Sequence, residues 1–197
     1  MLAYVFWHRP AAGVAAADYE QALVRFQRSL AHQPPCGLLG SASLRAGSLP
    51  WLGSGDGAGY EDWYLIESWS ALGVLETAAV SRGHRTAHEQ AARRAGNGTG
   101  AVYRRIEGEA QPSAARLAVW VRRPGGQKDP TMAELLEDGV EPAQGALWQR
   151  CLVLGPAPEF CLLHTQAELP ADTGVAPSRL PAGWQAVLDT REALADG

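Results

Sequence analysis

Apolar and polar positions along this chain change period several times, and each change marks an element. Residues 3–9 alternate loosely and are rich in aromatic and β-branched types, which predicts a strand. From Asp18 the apolar residues recur at Tyr19, Ala22, Leu23, Phe26 and Leu30, a 3.6-residue stripe that predicts a helix over 18–30 with Asp18 as its N-cap. Pro34-Pro35 stops it, and 37–45 reads as a second strand. Over 62–69 the alternation is clearest: Trp63, Leu65, Glu67 and Trp69 fall on one face, Asp62, Tyr64, Ile66 and Ser68 on the other. Ser70 is placed to cap a helix over 71–80. A second helical stretch runs over 84–95, Gly96-Asn97-Gly98 reads as the turn that ends it, and 101–107 closes the series as a strand.

The pattern then starts again. Tyr4-Val5-Phe6-Trp7-His8-Arg9-Pro10 has a counterpart about 114 residues on in Ala118-Val119-Trp120-Val121-Arg122-Arg123-Pro124, each followed by a polar loop and a helical pattern. The later half reads as strand 116–123, helix 131–138, strands 146–154 and 158–165, and a last strand near 184–190. Pro170, Pro177 and Pro181 forbid a regular helix between the last two. Internal similarity on this scale predicts an α+β chain of two fused units, 1–110 and a reduced 114–197, joined by a linker at 111–115. Gly155-Pro156-Ala157-Pro158 predicts a tight hairpin that sets Cys151 opposite Cys161 and Trp148 opposite His164, the two cysteines either bridged or left as thiols.

Composition narrows the function classes. Charged residues make up 19% of the 197 and hydrophobic ones 46%, enough apolar material for a core. A net charge of −4 gives no electrostatic footprint for nucleic acid. The first apolar run is too short for a secretory signal or a membrane span, so the expectation is a cytoplasmic protein without a membrane partner, with reduced cysteines.

The β-α-β-β-α-β order, with residues 63–70 (WYLIESWS) leading into a helix and then His84, resembles the dimeric α+β barrel superfamily of ferredoxin-like domains. That group includes antibiotic-biosynthesis monooxygenases, haem-degrading monooxygenases, NIPSNAP-like and EthD-like proteins, and tandem forms such as chlorite dismutase. The resemblance implies two antiparallel sheets facing one another with helices outside, and a site between sheet and helices or inside the barrel. Haem-degrading members combine a strand asparagine, a strand tryptophan and a helix histidine. Trp69 and His84 could stand for the last two, but the first strand has no asparagine.

Candidate chemistry centres on His8 and Glu67. A carboxylate between Trp63 and Trp69 would be desolvated, and a nearby imidazole could share its proton, an arrangement used in general acid–base catalysis. The plainer reading leaves Glu67 in water at a sheet edge. Trp7, Trp63, Trp69 and Trp120 fall in predicted strands and could line an apolar barrel cavity and stack on a flat ligand, or simply pack a core. His84 and His88 share a helix face, but without a third ligand they form no metal site. The alternate-glycine stretch 53–59 lacks the Lys-Ser/Thr of a phosphate loop and precedes a strand, leaving a flap or a plain connection. No serine-nucleophile elbow, HExxH or CxxC motif is present. The expectation is a metal-free enzyme acting on a small apolar or aromatic molecule, as a monomer or homodimer. The alternatives are a non-catalytic filled barrel or a haem binder.

Overall fold

The structure, a computed structural model, describes residues 1–47, 49–53, 58–81, 83–136, 144–165, 180 and 183–194. Its elements run β1 (Leu2–Pro10), α1 (Ala16–His32), β2 (Leu38–Ala46), β3 (Gly59–Ile66), α2 (Trp69–Ala79), α3 (Arg85–Ala92), β4 (Ala95–Gly108), β5 (Leu117–Arg122), α4 (Met132–Leu135), β6 (Gly145–Val153), β7 (Phe160–His164) and β8 (Gln185–Ala193). All eight strands close into one antiparallel barrel in the order β1-β3-β2-β8-β5-β7-β6-β4. Within it the first four strands lie as 4-1-3-2 and the last four repeat that order as 8-5-7-6. The halves meet at two seams. At β4–β6 the ladder runs from Ala101–Val153 to Gly108–Ala146, whereas β2–β8 is joined only through Leu44–Ala193, Arg45–Glu192 and Ala46–Arg191.

Strand alternation sorts every residue into one of two environments. Ala3, Val5 and Trp7 of β1, Trp63 of β3, Tyr103 of β4, Trp120 of β5 and Trp148 of β6 point inward and are buried. The indoles pack edge to face: Trp7 lies 5.2 Å from Trp120 at 76°, and Trp63 lies 5.6 Å from Trp148 at 68°. Such pairs add roughly 0.5–1.5 kcal/mol each beyond burial of their area. The barrel interior is thus a packed aromatic core. It also encloses charge. Arg191 donates to Glu61 Oε2 from Nε at 3.0 Å and lies within 2.9 Å through Nη2, and the Trp63 indole donates to the same oxygen at 2.9 Å. Asp189 accepts from the Gly47 backbone N–H at 2.5 Å. Burial, reinforced by the charge of Glu61, pushes the Asp189 carboxyl up to about 8.

Several boundaries differ from those expected. The third strand stops at Ile66, and the next helix starts at Trp69 with Ser68, not Ser70, as cap: its Oγ accepts from Ala71 N at 3.3 Å. Asp18 lies in the first turn of α1, whose N-cap is Ala15. Gly96-Asn97-Gly98 is no turn but the opening of β4. A Cβ at Gly98 would overlap the Phe6 ring and one at Gly100 would come within 2.9 Å of Tyr4, so the bare strand is what lets those rings lie against it. The β6–β7 register is three residues off the expected one: Trp148 pairs with Cys161 and Gly145 with His164, because β6 runs on along β4 to Val153 instead of turning back tightly. Cys151 is exposed, Cys161 is buried, and both are free. Residues 54–57 of the glycine stretch, 137–138 of the later helix and most of the proline-containing segment lie outside the described residues.

Candidate active site

The outward faces of β1 and β3 carry the chemistry. Tyr4, Phe6 and His8 alternate with the inward residues of β1, and Tyr60, Asp62 and Tyr64 do the same on β3. Cα pairing sets His8 against Tyr60 and Phe6 against Asp62. The rings form a nearly parallel row: His8 stacks on Tyr60 at 5.9 Å and 8°, Phe6 on His8 at 5.2 Å and 27°, Tyr4 on Tyr64 at 6.0 Å and 21°. Above this floor lie α1, α2 and α3, and between floor and helices is a cavity of about 640 Å³. Leu23 and Phe26 of α1, Leu72 and Leu75 of α2 and His88 of α3 supply its roof, with Ala79, Ala91 and Ala92 leaving it open.

His8 sits at one end of the cavity with both ring nitrogens engaged. The Tyr19 hydroxyl is 2.6 Å from Nδ1, and Asp62 Oδ2 is 3.2 Å from Nε2, a close polar contact rather than an in-line hydrogen bond. With Nε2–H assigned to the carboxylate side, Nδ1 is the acceptor and Tyr19 the donor. Asp62 is held by two more hydroxyls: Ser43 donates to Oδ1, and Tyr64 donates to Oδ2 at 3.1 Å. Gln27 of α1 donates to Ser43 at 2.9 Å, which ties the helix to the carboxylate. Burial and the Asp62 charge raise the Tyr19 phenol well above its ordinary range, so it stays protonated and donates. Tyr60 donates to Glu20 at 2.8 Å, and burial together with that carboxylate pushes its phenol up to about 12.

The other predicted site residues lie elsewhere. Glu67 is exposed beyond the end of β3. Since Leu2 pairs with Ile66 and His8 with Tyr60, roughly 20 Å of strand separates Glu67 from His8, and the expected pair does not form. Trp7 and Trp63 point into the barrel, on the opposite face from His8. Trp69 is 51% exposed at the start of α2. His84 is buried with Nδ1 3.2 Å from Ser29 Oγ, away from the cavity, whereas His88 lines it edge-on to Phe26 at 5.3 Å. Asp62, Tyr19 and Ser43 escaped the sequence reading. The available signal was parity: Asp62 and Tyr64 alternate with Trp63 as His8 alternates with Trp7.

These residues do not suit haem. Trp69 and His84 do not meet at the cavity, both nitrogens of His8 are engaged, and the described lining holds Asp62 and Glu76 but no Arg or Lys to pair with propionates. Among the described residues no cluster of three or more His, Cys, Asp or Glu could hold a metal ion, and no helix is long and apolar enough to cross a membrane.

The fold is a closed antiparallel barrel of eight strands flanked by helices. Solved structures agree. A monooxygenase candidate from Fusobacterium nucleatum subsp. nucleatum is similar over 98% of this chain and 92% of its own, with 12% identity and a TM-score of 0.62. An anthrone oxidase-like protein is similar over 99% and 94%, also at 12% identity, with a TM-score of 0.50. A chlorite dismutase variant from Candidatus Nitrospira defluvii, at 11% identity and a TM-score of 0.44, is too remote to carry argument. No family profile and no curated protein matches the chain.

Proposed function

We propose that this protein is a small-molecule enzyme that starts the oxidation of a flat, electron-rich aromatic compound by removing a proton from it, without a tightly bound cofactor. The observation that carries this reading is His8, held between Tyr19 and Asp62 at the end of a largely apolar cavity. The rows of parallel rings on β1 and β3 favour a planar ligand. As the ligand gives up its proton to the Tyr19 oxygen, Tyr19 passes its own to His8 Nδ1, and Asp62 stabilises the imidazolium. Tyr19 therefore never carries a full negative charge, consistent with its raised pKa.

An acidified CH₂ flanked by aromatic rings, as in an anthrone, shows how the electrons balance. The carbanion left by deprotonation transfers an electron to dioxygen, the two radicals combine into a peroxide anion, and that anion takes back the proton held at His8 and Tyr19 to give a hydroperoxide. Loss of water then leaves a carbonyl, so one oxygen atom enters the product and the other leaves as water. The names of the two more similar structures, a monooxygenase and an anthrone oxidase-like protein, support this class of reaction. The repeated 4-1-3-2 order supports reading the chain as two ferredoxin-like units, 1–110 and 114–197, fused into one barrel. The test is oxygen uptake with anthrone, followed by absorbance of the quinone. Wild-type protein should consume one equivalent of O₂ per quinone, with chelator present, above the spontaneous rate. Equal rates with and without protein would remove the oxidative reading.

A second reading, a barrel filled by its own side chains, has the packed interior in its favour. That packing leaves the cavity outside the barrel untouched.

A further inference from the structure

The proposed reaction leaves the substrate's charge open, and the cavity has a marked bias. Its described lining carries two carboxylates, Asp62 at the His8 end and Glu76 on α2, and neither Lys nor Arg. Glu76 is exposed, and with Leu72, Leu75 and Ala79 it completes the α2 stripe lining the cavity, which places it at the solvent-facing rim. Phe6 pairs across the strands with Asp62, and Tyr4 stacks on Phe6 at 6.5 Å and 28° within the same lining. Burial raises the Tyr4 phenol, and the charges of both Asp62 and Glu76 raise it further, so both fields reach the same point of the floor. Negative charge at both ends of one lining that also carries aromatic faces, with neither Lys nor Arg among its described residues, suits a positively charged group. It repels a carboxylate.

We propose that the cavity takes a planar aromatic compound bearing a basic amine, with the ring on the Tyr4–Phe6 row, the ammonium toward Glu76 and the proton to be removed toward His8. This rests on the reading of the cavity as the site. The geometry assigns Glu76 the selection of charge and leaves the proton transfer to His8, so the two roles separate by variant.

The experiment is a fluorescence titration of the whole protein with three tricyclic probes of similar shape: proflavine, a cation; 9-anthracenemethanol, neutral; and anthracene-9-carboxylate, an anion. Measured at pH 8, where imidazoles are ordinarily neutral, and at low salt, proflavine should bind at least about tenfold more tightly than the carboxylate. Glu76→Gln should weaken proflavine about three- to fivefold and leave the neutral probe unchanged, an effect of the size expected for an exposed charge. Glu76→Lys should reverse the order of cation and anion. Equal affinity for all three, or proflavine binding that ignores both substitutions and so reflects the net charge of −4, would overturn the amine proposal while leaving an apolar aromatic site. Failure of all three probes to bind would overturn the site reading as well.

Discussion

The outward face of β1 and β3 and that of β5 and β7 occupy matching places in the repeated strand order, yet one is a cavity and the other a core. Register fixes the match: Trp7 pairs with Glu61 as Trp120 pairs with Cys161. Counting outward from those pairs, His8 corresponds to Val121, Phe6 to Val119, Asp62 to Leu162 and Tyr60 to Phe160. In the second half Val119, Val121, Phe160 and Leu162 pack beneath Met132, Leu135 and Leu136 as one apolar cluster. In the first half the same places hold an imidazole, a carboxylate and stacked rings, and three helices stand off them far enough to leave about 640 Å³. Among the described residues, one half has its face covered by a short helix together with Leu180 and Trp184 and is stabilised by packing. The other gives up packing and buries a polar network, the kind of local inconsistency that marks a functional site.

The sharpest way to break this comparison is to give the first half the residues of the second. His8→Val with Asp62→Leu should lower anthrone oxidation by about 10²–10⁴-fold, the range a positioned acid–base group supplies. Stability in urea should fall by about 1–3 kcal/mol, because the hydroxyls of Tyr19, Ser43 and Tyr64 lose buried partners. Retained turnover would move the chemistry away from His8.

Inside the barrel the difference is again Glu61 against Cys161. Glu61 needs Arg191 from the other half, and Asp189 shares that space, so the β2–β8 seam carries a buried titratable group. A carboxyl whose pKa is higher folded than unfolded holds a proton that the unfolded chain has lost, here between about 4 and about 8. Its contribution to stability is complete below that window and falls as pH rises through it. Wild-type stability should therefore drop between pH 5 and 8 relative to Asp189→Asn, with a steepest difference of at most about 1.4 kcal/mol per pH unit. Parallel curves in urea titrations at each pH would show that Asp189 does not titrate there.

Much of the barrel was legible because alternation and helical period depend on local sequence. The buried stripe of α1 is the one read from spacing, Tyr19 to Leu30. What failed depends on partners distant in sequence. The Arg-Pro motifs align the two halves at 114 residues, whereas the buried tryptophans Trp7 and Trp120 align at 113; an offset of one exchanges the faces of a strand. Alternation also runs through Glu67 and Trp69, so nothing local shows that Ser68 ends the strand by capping α2. Asp62 was set on the face opposite Trp63, correctly. The tryptophans on the other face point into the barrel, while the pairing that brings Asp62 beside His8 is set by the β1–β3 register. Gly96 and Gly98 read as turn residues until the Tyr4 and Phe6 rings that require bare strand are in view.

The smallest effect sharpens the comparison at the helix ends. Ser68 caps α2, the cavity's roof, and Thr131 caps α4 through a reciprocal contact with Glu134, over the packed face. Ser68→Ala and Thr131→Ala should each cost about 1 kcal/mol of stability, the usual worth of such a cap. Their consequences for ligand should diverge. A frayed first turn in α2 loosens the helix that carries Leu72, Leu75 and Glu76 over the cavity, so Ser68→Ala should weaken 9-anthracenemethanol binding by a few fold. Thr131→Ala acts on a helix packed over β5 and β7, none of whose residues lines the β1–β3 cavity, and should leave that affinity unchanged. Equal losses of stability with unequal losses of binding would show that the first half alone uses its helices to hold a ligand. Equal changes in both would mean that the two faces differ in residues but not in role.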